Sequence, residues 1–221
     1  RRIIAENMTK SKSEIPHAWS MIEADITQLV QYRNLVKADF KKREGIDLTY
    51  LPFIIKATTE SLHEHPTLNA SWGNNKILKN KQINISVAID TPRGLSVPVI
   101  HNANLLSITQ LSRTLHDLSS KAKNGKLDIK DVKNGTFTVN NTGALGSIMS
   151  FPIINYPQAA ILTSELIVKR PVVIDDSICI RSIMNLCISF DHRVLDGSDA
   201  ARFIQAIKHR LESINDKMSL D

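Results

Sequence analysis

The chain is 221 residues long, 42% apolar and 23% charged, with 8 Gly, 8 Pro and a formal net charge of +6. Collagen, coiled coil and intrinsic disorder each need a strong compositional bias, and none is present. The length suffices to bury a real core, and no apolar run reaches the roughly 20 residues of a membrane span, so no membrane partner is expected.

Residues 1–16 read as a lead-in segment that ends at Pro16, and their start at Arg1-Arg2 rather than Met reads as a piece of a longer chain. His17 to Ala24 reads as a strand. Asp25-Ile-Thr-Gln28 has the form of a capping box, with Asp at N-cap and Gln at N3. Leu29, Tyr32, Leu35, Val36 and Phe40 follow at helical spacing, and Gly45 stops that helix. A second helix carries Leu51, Ile54, Ile55, Thr58 and Leu62 on one face and ends before Pro66. Residues 83–91 alternate as a strand, Pro92-Arg-Gly94 turns, and Leu95 to Ile100 forms another. Residues 107–123 make a third helix with Ile108, Leu111, Leu115 and Leu118 as its stripe, and Gly125 is its stop. Short strands follow near 136–140, 159–168 and 172–174. After a turn at Asp175-Asp176-Ser177 come a long strand, 178–190, and a last helix, 199–214, with Phe203, Ile204, Ile207 and Leu211. The regular beat of a doubly wound sheet is missing, which predicts one α+β or mixed-sheet α/β domain over 1–221.

The basic excess is spread along the chain, whereas a nucleic-acid partner needs a localised basic face. A phosphate-bearing small ligand suits it equally well. The glycines form no phosphate loop. The seven histidines give no metal signature, since His63 and His65 point to different faces of a helix. On one strand Cys179 and Cys187 stand about 26 Å apart, far beyond the roughly 7 Å that a disulfide spans, so a reduced, intracellular protein is expected.

Two stretches carry candidate chemistry. Ser189-Phe-Asp-His-Arg-Val-Leu-Asp-Gly197 follows a continuous apolar strand and precedes a helix. It presents an imidazole, His192, from a rigid scaffold, and imidazole suits a general base near pH 7. A salt-bridged turn explains the same pattern equally well. Gly135-Thr-Phe-Thr-Val-Asn-Asn-Thr-Gly143 ends a strand at Asn140-Asn141, where amides can donate to an oxyanion. A polar turn is the plainer explanation.

Together these stretches, with Ile153-Ile-Asn-Tyr-Pro-Gln-Ala-Ala-Ile-Leu162, Gly94-Leu-Ser-Val-Pro-Val99 and Ile15-Pro-His17, closely resemble the catalytic domain of the dihydrolipoyl acyltransferases, most of all the bacterial branched-chain members. These are the core components of 2-oxo acid dehydrogenase complexes. The resemblance spans nearly the whole chain. It implies a chloramphenicol-acetyltransferase-like fold, a mixed-sheet sandwich with flanking helices, in a homotrimer with active sites between subunits. It implies assembly into a cubic (24-mer) or dodecahedral core, in the bacterial cytoplasm by preference or in the mitochondrial matrix of a eukaryote. It implies lipoyl and subunit-binding domains, absent here, that supply the lipoyl group and dock the dehydrogenase and dihydrolipoamide dehydrogenase components. The implied reaction is acyl transfer between dihydrolipoamide and coenzyme A, with no metal. A branched-chain acyl group comes first, and succinyl, acetyl or a catalytically lapsed structural subunit are the alternatives. His192 becomes the base, and Asp196 fixes its loop and the imidazole. Asn140 becomes the oxyanion donor where the family usually has Ser or Thr, with Thr138 and Thr142 as alternatives. The coenzyme A contacts implied are Arg33, Thr49, Asp90, Asn140 and Asn141.

Overall fold

A computed structural model describes residues 2–221, and Arg1 lies outside the described residues. The lead-in segment is helical: α1 runs Arg2–Glu14, where the sequence showed only scattered apolar positions. Ser11 in it and Ile15 just past its end are buried, and the Ser11 hydroxyl donates to the carbonyl of Ile154 at 2.6 Å.

Strand β1, His17–Asp25, leads into α2, Thr27–Glu44. The capping box expected at Asp25 is displaced. The N-cap residue is Ile26, because the Asp25 carboxylate accepts from both the backbone N–H and the hydroxyl of Thr27. Gly45 closes α2 in the left-handed region, at φ 72°, where a side chain would be strained. Leu29, Tyr32 and Phe40 are buried as the spacing predicts, whereas Leu35 is exposed. Helix α3, Leu51–Glu64, buries the face that the sequence assigned to it.

A hairpin that the sequence reading passed over follows, β2 Ala70–Gly73 with β3 Lys76–Lys79. Its turn residues Asn74 and Asn75 both have positive φ, the signature of a two-residue type I′ turn. The two strands expected over 83–100 are each broken. The pieces are β4 Ile85–Val87, β5 Ile89–Thr91, β6 Gly94–Ser96 and β7 Val99–Ile100. β4 and β7 join the main sheet, while β5 and β6 form a separate hairpin. Pro98, which has no N–H for a ladder, separates β6 from β7.

Helix α4, Ile108–Lys123, starts at a reciprocal capping box of Ser107 and Gln110. Then come β8 Phe137–Asn141, β9 Ala160–Ser164, β10 Val168–Ile174, β11 Ser177–Asp191 and α5 Gly197–Glu212. The main sheet has the order β1-β11-β9-β8-β4-β7, with β10 pairing the first part of β11. β8 runs parallel to both β9 and β4, and the other pairs are antiparallel. The sheet is therefore mixed, as predicted.

From Ser182 to Asp191 every residue of β11 is buried, because β1 and β9 flank it on both edges and α5 packs on β1 and β11. Phe203 of α5 is fully buried and meets the Phe137 ring edge-on, 5.7 Å between centroids. Phe203→Ala should cost about 3–5 kcal/mol through lost burial and an unfilled cavity; urea unfolding of the variant against the parent measures this.

Candidate active site

Strand β11 ends at Asp191, and the turn after it presents His192. Asp191 organises that turn. Its carbonyl accepts from the N–H groups of Val194 and Leu195, at 3.0 and 3.1 Å, and both of those side chains are buried. Its buried carboxylate accepts from the Arg193 backbone N–H at 3.0 Å, and from Nε and Nη2 of the same guanidinium at 2.9 and 2.7 Å. A forked pair of this kind fixes direction as well as adding energy. The His192 N–H donates to the carbonyl of Pro16 at 3.0 Å. The backbone of His192 is thus held, while its imidazole is exposed. The ring lies 5.9 Å from that of Phe190, with no hydrogen-bond partner among the described residues.

A second imidazole at this end, His17, is fully engaged. Its Nε2 accepts from the Ile154 N–H at 3.1 Å, so its Nδ1 carries the proton and donates to the Ile15 carbonyl at 2.9 Å. It is a structural histidine at the core edge.

Asp196 caps α5. Its carboxylate accepts from the Asp199 N–H at 2.9 Å and the Ser198 hydroxyl at 2.7 Å, and Asp199 returns a bond to the Asp196 N–H. The Ser198 hydroxyl first, and the Asp199 N–H after it, hold this carboxyl below the usual aspartate range. Asp196 fixes the loop, then, but its carboxylate turns to the helix terminus and makes no bond to His192.

The other candidate residues lie elsewhere. Thr49, Asp90, Asn140 and Asn141 line one cavity of about 580 Å³, within the range that takes a small-molecule ligand. Its walls include Leu51, Val87, Leu95 and His116, with Lys41 and Lys123 as cationic lining. Arg33 is not part of the lining. Its Nε donates to the Leu48 carbonyl at 2.8 Å and its guanidinium lies 5.3 Å from the Tyr50 ring centroid. It braces the segment that carries Thr49.

Of the three candidate oxyanion donors, one has its amide available. The Thr138 hydroxyl donates to Gln158 Oε1 at 2.6 Å and the Thr142 hydroxyl to Glu165 Oε2 at 2.7 Å. Asn140 faces the cavity, and its amide has no partner among the described residues. Asn141 is used locally, its Oδ1 accepting from the Ala144 N–H at 3.2 Å.

Strand register separates His192 from Asn140. Asn140 stands opposite Thr163, and Thr163 opposite Cys187. Asp191 lies four residues beyond Cys187, about 13 Å along the strand, and β11 is two strands, about 10 Å, from β8. The backbones of the two residues are therefore about 16 Å apart in one chain. A hydrogen bond reaches about 3 Å, so the two side chains do not contact each other within a single copy.

Sequence reasoning missed Glu165, a carboxylate at the end of β9 that is 2% exposed. Burial alone would raise its carboxyl. The hydroxyls of Ser150, Thr142 and Thr163 outweigh that and hold it below the usual range. The available signal was an acidic residue three positions after the apolar run Ala159–Leu162, with Thr163 and Ser164 between.

The family model described as 2-oxoacid dehydrogenases acyltransferase (catalytic domain) matches residues 1–219. The chain belongs to this family. The lipoamide acyltransferase component of the branched-chain alpha-keto acid dehydrogenase complex of Bacillus subtilis is 51% identical over the whole chain, which spans 52% of that relative. The chain thus covers about half the length of curated relatives of this kind. Acetyl- and succinyltransferase components, from Corynebacterium glutamicum and Buchnera aphidicola, match at 44% and 38% identity. Among solved structures, one described as a probable dihydrolipoamide acetyltransferase from Listeria monocytogenes superposes with a TM-score of 0.98 at 53% identity, covering 100% of this chain and 95% of that one. A structure concerned with a serine, a histidine and an asparagine in the catalytic mechanism of the Azotobacter vinelandii dihydrolipoamide acetyltransferase gives 0.93 at 34%, covering 96% and 88%. Chloramphenicol acetyltransferase shares the fold, at a TM-score of 0.58 and 13% identity, as the resemblance implied.

Two outcomes follow for this family member. Asp196→Ala should lower the thermal midpoint and Asp196→Asn should preserve it, since Asn caps as well as Asp; thermal unfolding of both variants checks this. Because the Glu165 carboxyl is lowered in the folded chain, its ionisation adds stability above the ordinary glutamate pKa of about 4.3, and this is lost as pH falls through the lower folded value. Melting curves from about pH 6 down to pH 3 should therefore fall less steeply for Glu165→Gln than for the parent.

Proposed function

We propose that this chain transfers an acyl group between dihydrolipoamide and coenzyme A, as the catalytic domain of a 2-oxo acid dehydrogenase core. The observation that carries the reading is the triplet Asn140, His192 and Asp196. In the Azotobacter structure the serine precedes the histidine by 52 positions and the asparagine follows it by 4. Asn140, His192 and Asp196 keep the same spacing.

A thiol of ordinary pKa, about 8.5, is mostly protonated at pH 7. His192 accepts that proton as the sulfur attacks the thioester carbonyl, a contribution of about 100- to 10,000-fold. The Asn140 amide donates to the oxyanion of the tetrahedral intermediate, a contribution of about 100- to 1,000-fold. Collapse breaks the original carbon–sulfur bond, and the departing thiolate takes the proton from the imidazolium. Thr49, Asp90 and Asn141 face coenzyme A in the cavity, where Lys41 and Lys123 offer positive charge to its phosphates. Arg33 acts from behind by bracing Thr49.

Since strand register sets His192 and Asn140 far apart within one chain, each site takes the imidazole from one copy and the amide from its neighbour. A homotrimer supplies three such sites, and a solved relative described as the cubic core of the pyruvate dehydrogenase complex (TM-score 0.92, 35% identity, 96% and 88% covered) supports a cubic assembly. The length of the relatives that this chain does not cover leaves room for lipoyl and subunit-binding domains. They deliver the lipoyl group and dock the dehydrogenase and dihydrolipoamide dehydrogenase. The bacterial origin of the relatives supports a cytoplasmic location. A branched-chain acyl group is favoured by the Bacillus relative, and the Listeria description favours acetyl as the second reading.

His192→Ala should lower turnover by at least about 100-fold with the assembly intact. Asn140→Ala should lower kcat more than it raises KM. Denaturing and refolding the two variants together should restore activity to about a quarter of the sites, those pairing an intact imidazole with an intact amide. Absence of any recovery would place both groups in one copy's site. Turnover with a panel of branched-chain, acetyl and succinyl-CoA donors ranks the acyl groups.

A further inference from the structure

The loop from Thr142 to Ser150 forms part of the cavity wall through Ala144 and Leu145, yet within one chain apolar burial does not hold it. Leu145 is 77% exposed, Ile148 56% and Met149 48%. What holds it lies on its polar side. Glu165 Oε2 accepts from the Thr142 hydroxyl at 2.7 Å, and Oε1 accepts from the Ser150 and Thr163 hydroxyls at 2.5 and 2.7 Å. Among the described residues no Lys, Arg or His pairs with this carboxylate. A buried charge is costly when unpartnered, and charge-assisted hydrogen bonds from the three hydroxyls offset that cost. An ionised carboxylate only accepts, so all three hydroxyls must donate to it, which fixes both ends of the loop and a residue of β9 around one group.

Two further contacts press the loop onto the same segment. The Leu166 N–H donates to the Ser147 carbonyl at 2.7 Å. Gly143 lies so close to Glu165 that a Cβ there would stand 2.3 Å from the Glu165 carbonyl carbon and oxygen. No side chain fits at 143 without lifting the loop.

We propose that Glu165 is a positioning residue for the coenzyme A side of the site, holding the 142–150 loop as a fixed wall of the cavity through the hydroxyls it gathers. The inference rests on the acyl-transfer reading. It separates the two substrates, because the loop borders the cavity that holds Thr49, Asp90 and Asn141, whereas His192 lies at the far end of the sheet.

The test is steady-state kinetics of the assembled protein, varying coenzyme A and dihydrolipoamide in turn. Glu165→Ala should raise KM for coenzyme A by about tenfold or more and leave KM for dihydrolipoamide within about twofold. Thr142→Val, which keeps the shape and removes the hydroxyl, and Gly143→Ala, which lifts the loop, should shift the same constant by about threefold or more. Glu165→Gln should recover part of the loss, since its amide oxygen still accepts on one side and its NH2 can donate to a hydroxyl on the other. Unchanged KM for coenzyme A across these variants, or equal rises for both substrates, overturns the positioning role while leaving the functional reading in place. If Glu165→Ala does not assemble, Thr142→Val and Gly143→Ala decide. An unmodified protein that transfers no acyl group to coenzyme A overturns both.

Discussion

Strand β11 is the member on which the rest of the molecule is hung. Its fifteen residues bond to β1, β9 and β10, and its buried second half runs without a break into the turn of His192. Every position across the sheet is then a matter of register. β9 is placed by β11, β8 by β9 and β4 by β8. A slip of one residue anywhere in that series would turn a whole strand over and point Asn140 away from the cavity. The hydrophobic pattern of β11 is thus the source of the site's geometry, even though it contributes no reacting atom.

Buried polar groups carry that register into the loops. Asp191 grips Arg193 and two backbone N–H groups at one end of the sheet. Gln158 takes the Thr138 hydroxyl and gives an amide proton to Ser86, tying the β9 approach to β8 and β4. Glu165 gathers the loop after β8. Each group is a side chain surrounded by partners of fixed direction, which specifies a conformation more sharply than apolar contact does. Apolar packing decides that the layers meet, and these groups decide how the turns between layers are posed.

Much of the architecture was legible in the residues. The stripes of α3, α4 and α5 are wide and regular, and β11 is a continuous apolar run, so their existence and faces followed from periodicity. Short and exposed elements did not. β3 is four exposed residues, and only the Asn74-Asn75 turn betrays its hairpin. The helix α1 has too sparse an apolar pattern to stand out. At Asp25 the side chain had two possible uses, and the Thr27 hydroxyl won over the N-cap position. The site motifs were legible as motifs. Their separation was not, because it arises from parallel pairing between β8 and β9, a long-range choice that no local pattern encodes. Glu165 escaped for a related reason: an acidic residue near a strand end reads as a solvated one until the hydroxyls around it are seen to come from distant parts of the chain.

One detail of β10 bears on how the chain behaves among copies of itself. The hairpin of β10 and β11 reaches out from the sheet with Val173, Ile178 and Ile180 largely exposed, and β10 pairs on one side only. A free strand edge with apolar side chains invites another strand to add to it. Pro171 sits in the middle of β10, opposite Ile180. A proline fits a ladder only where its nitrogen faces away from the partner strand, so the outer edge lacks a donor at its midpoint. Lys169 beside it adds a positive charge that approaching copies must face, whereas the Arg170 guanidinium is paired with Glu23. The edge is guarded against strand-by-strand growth, while its apolar side chains stay available for contact through their faces.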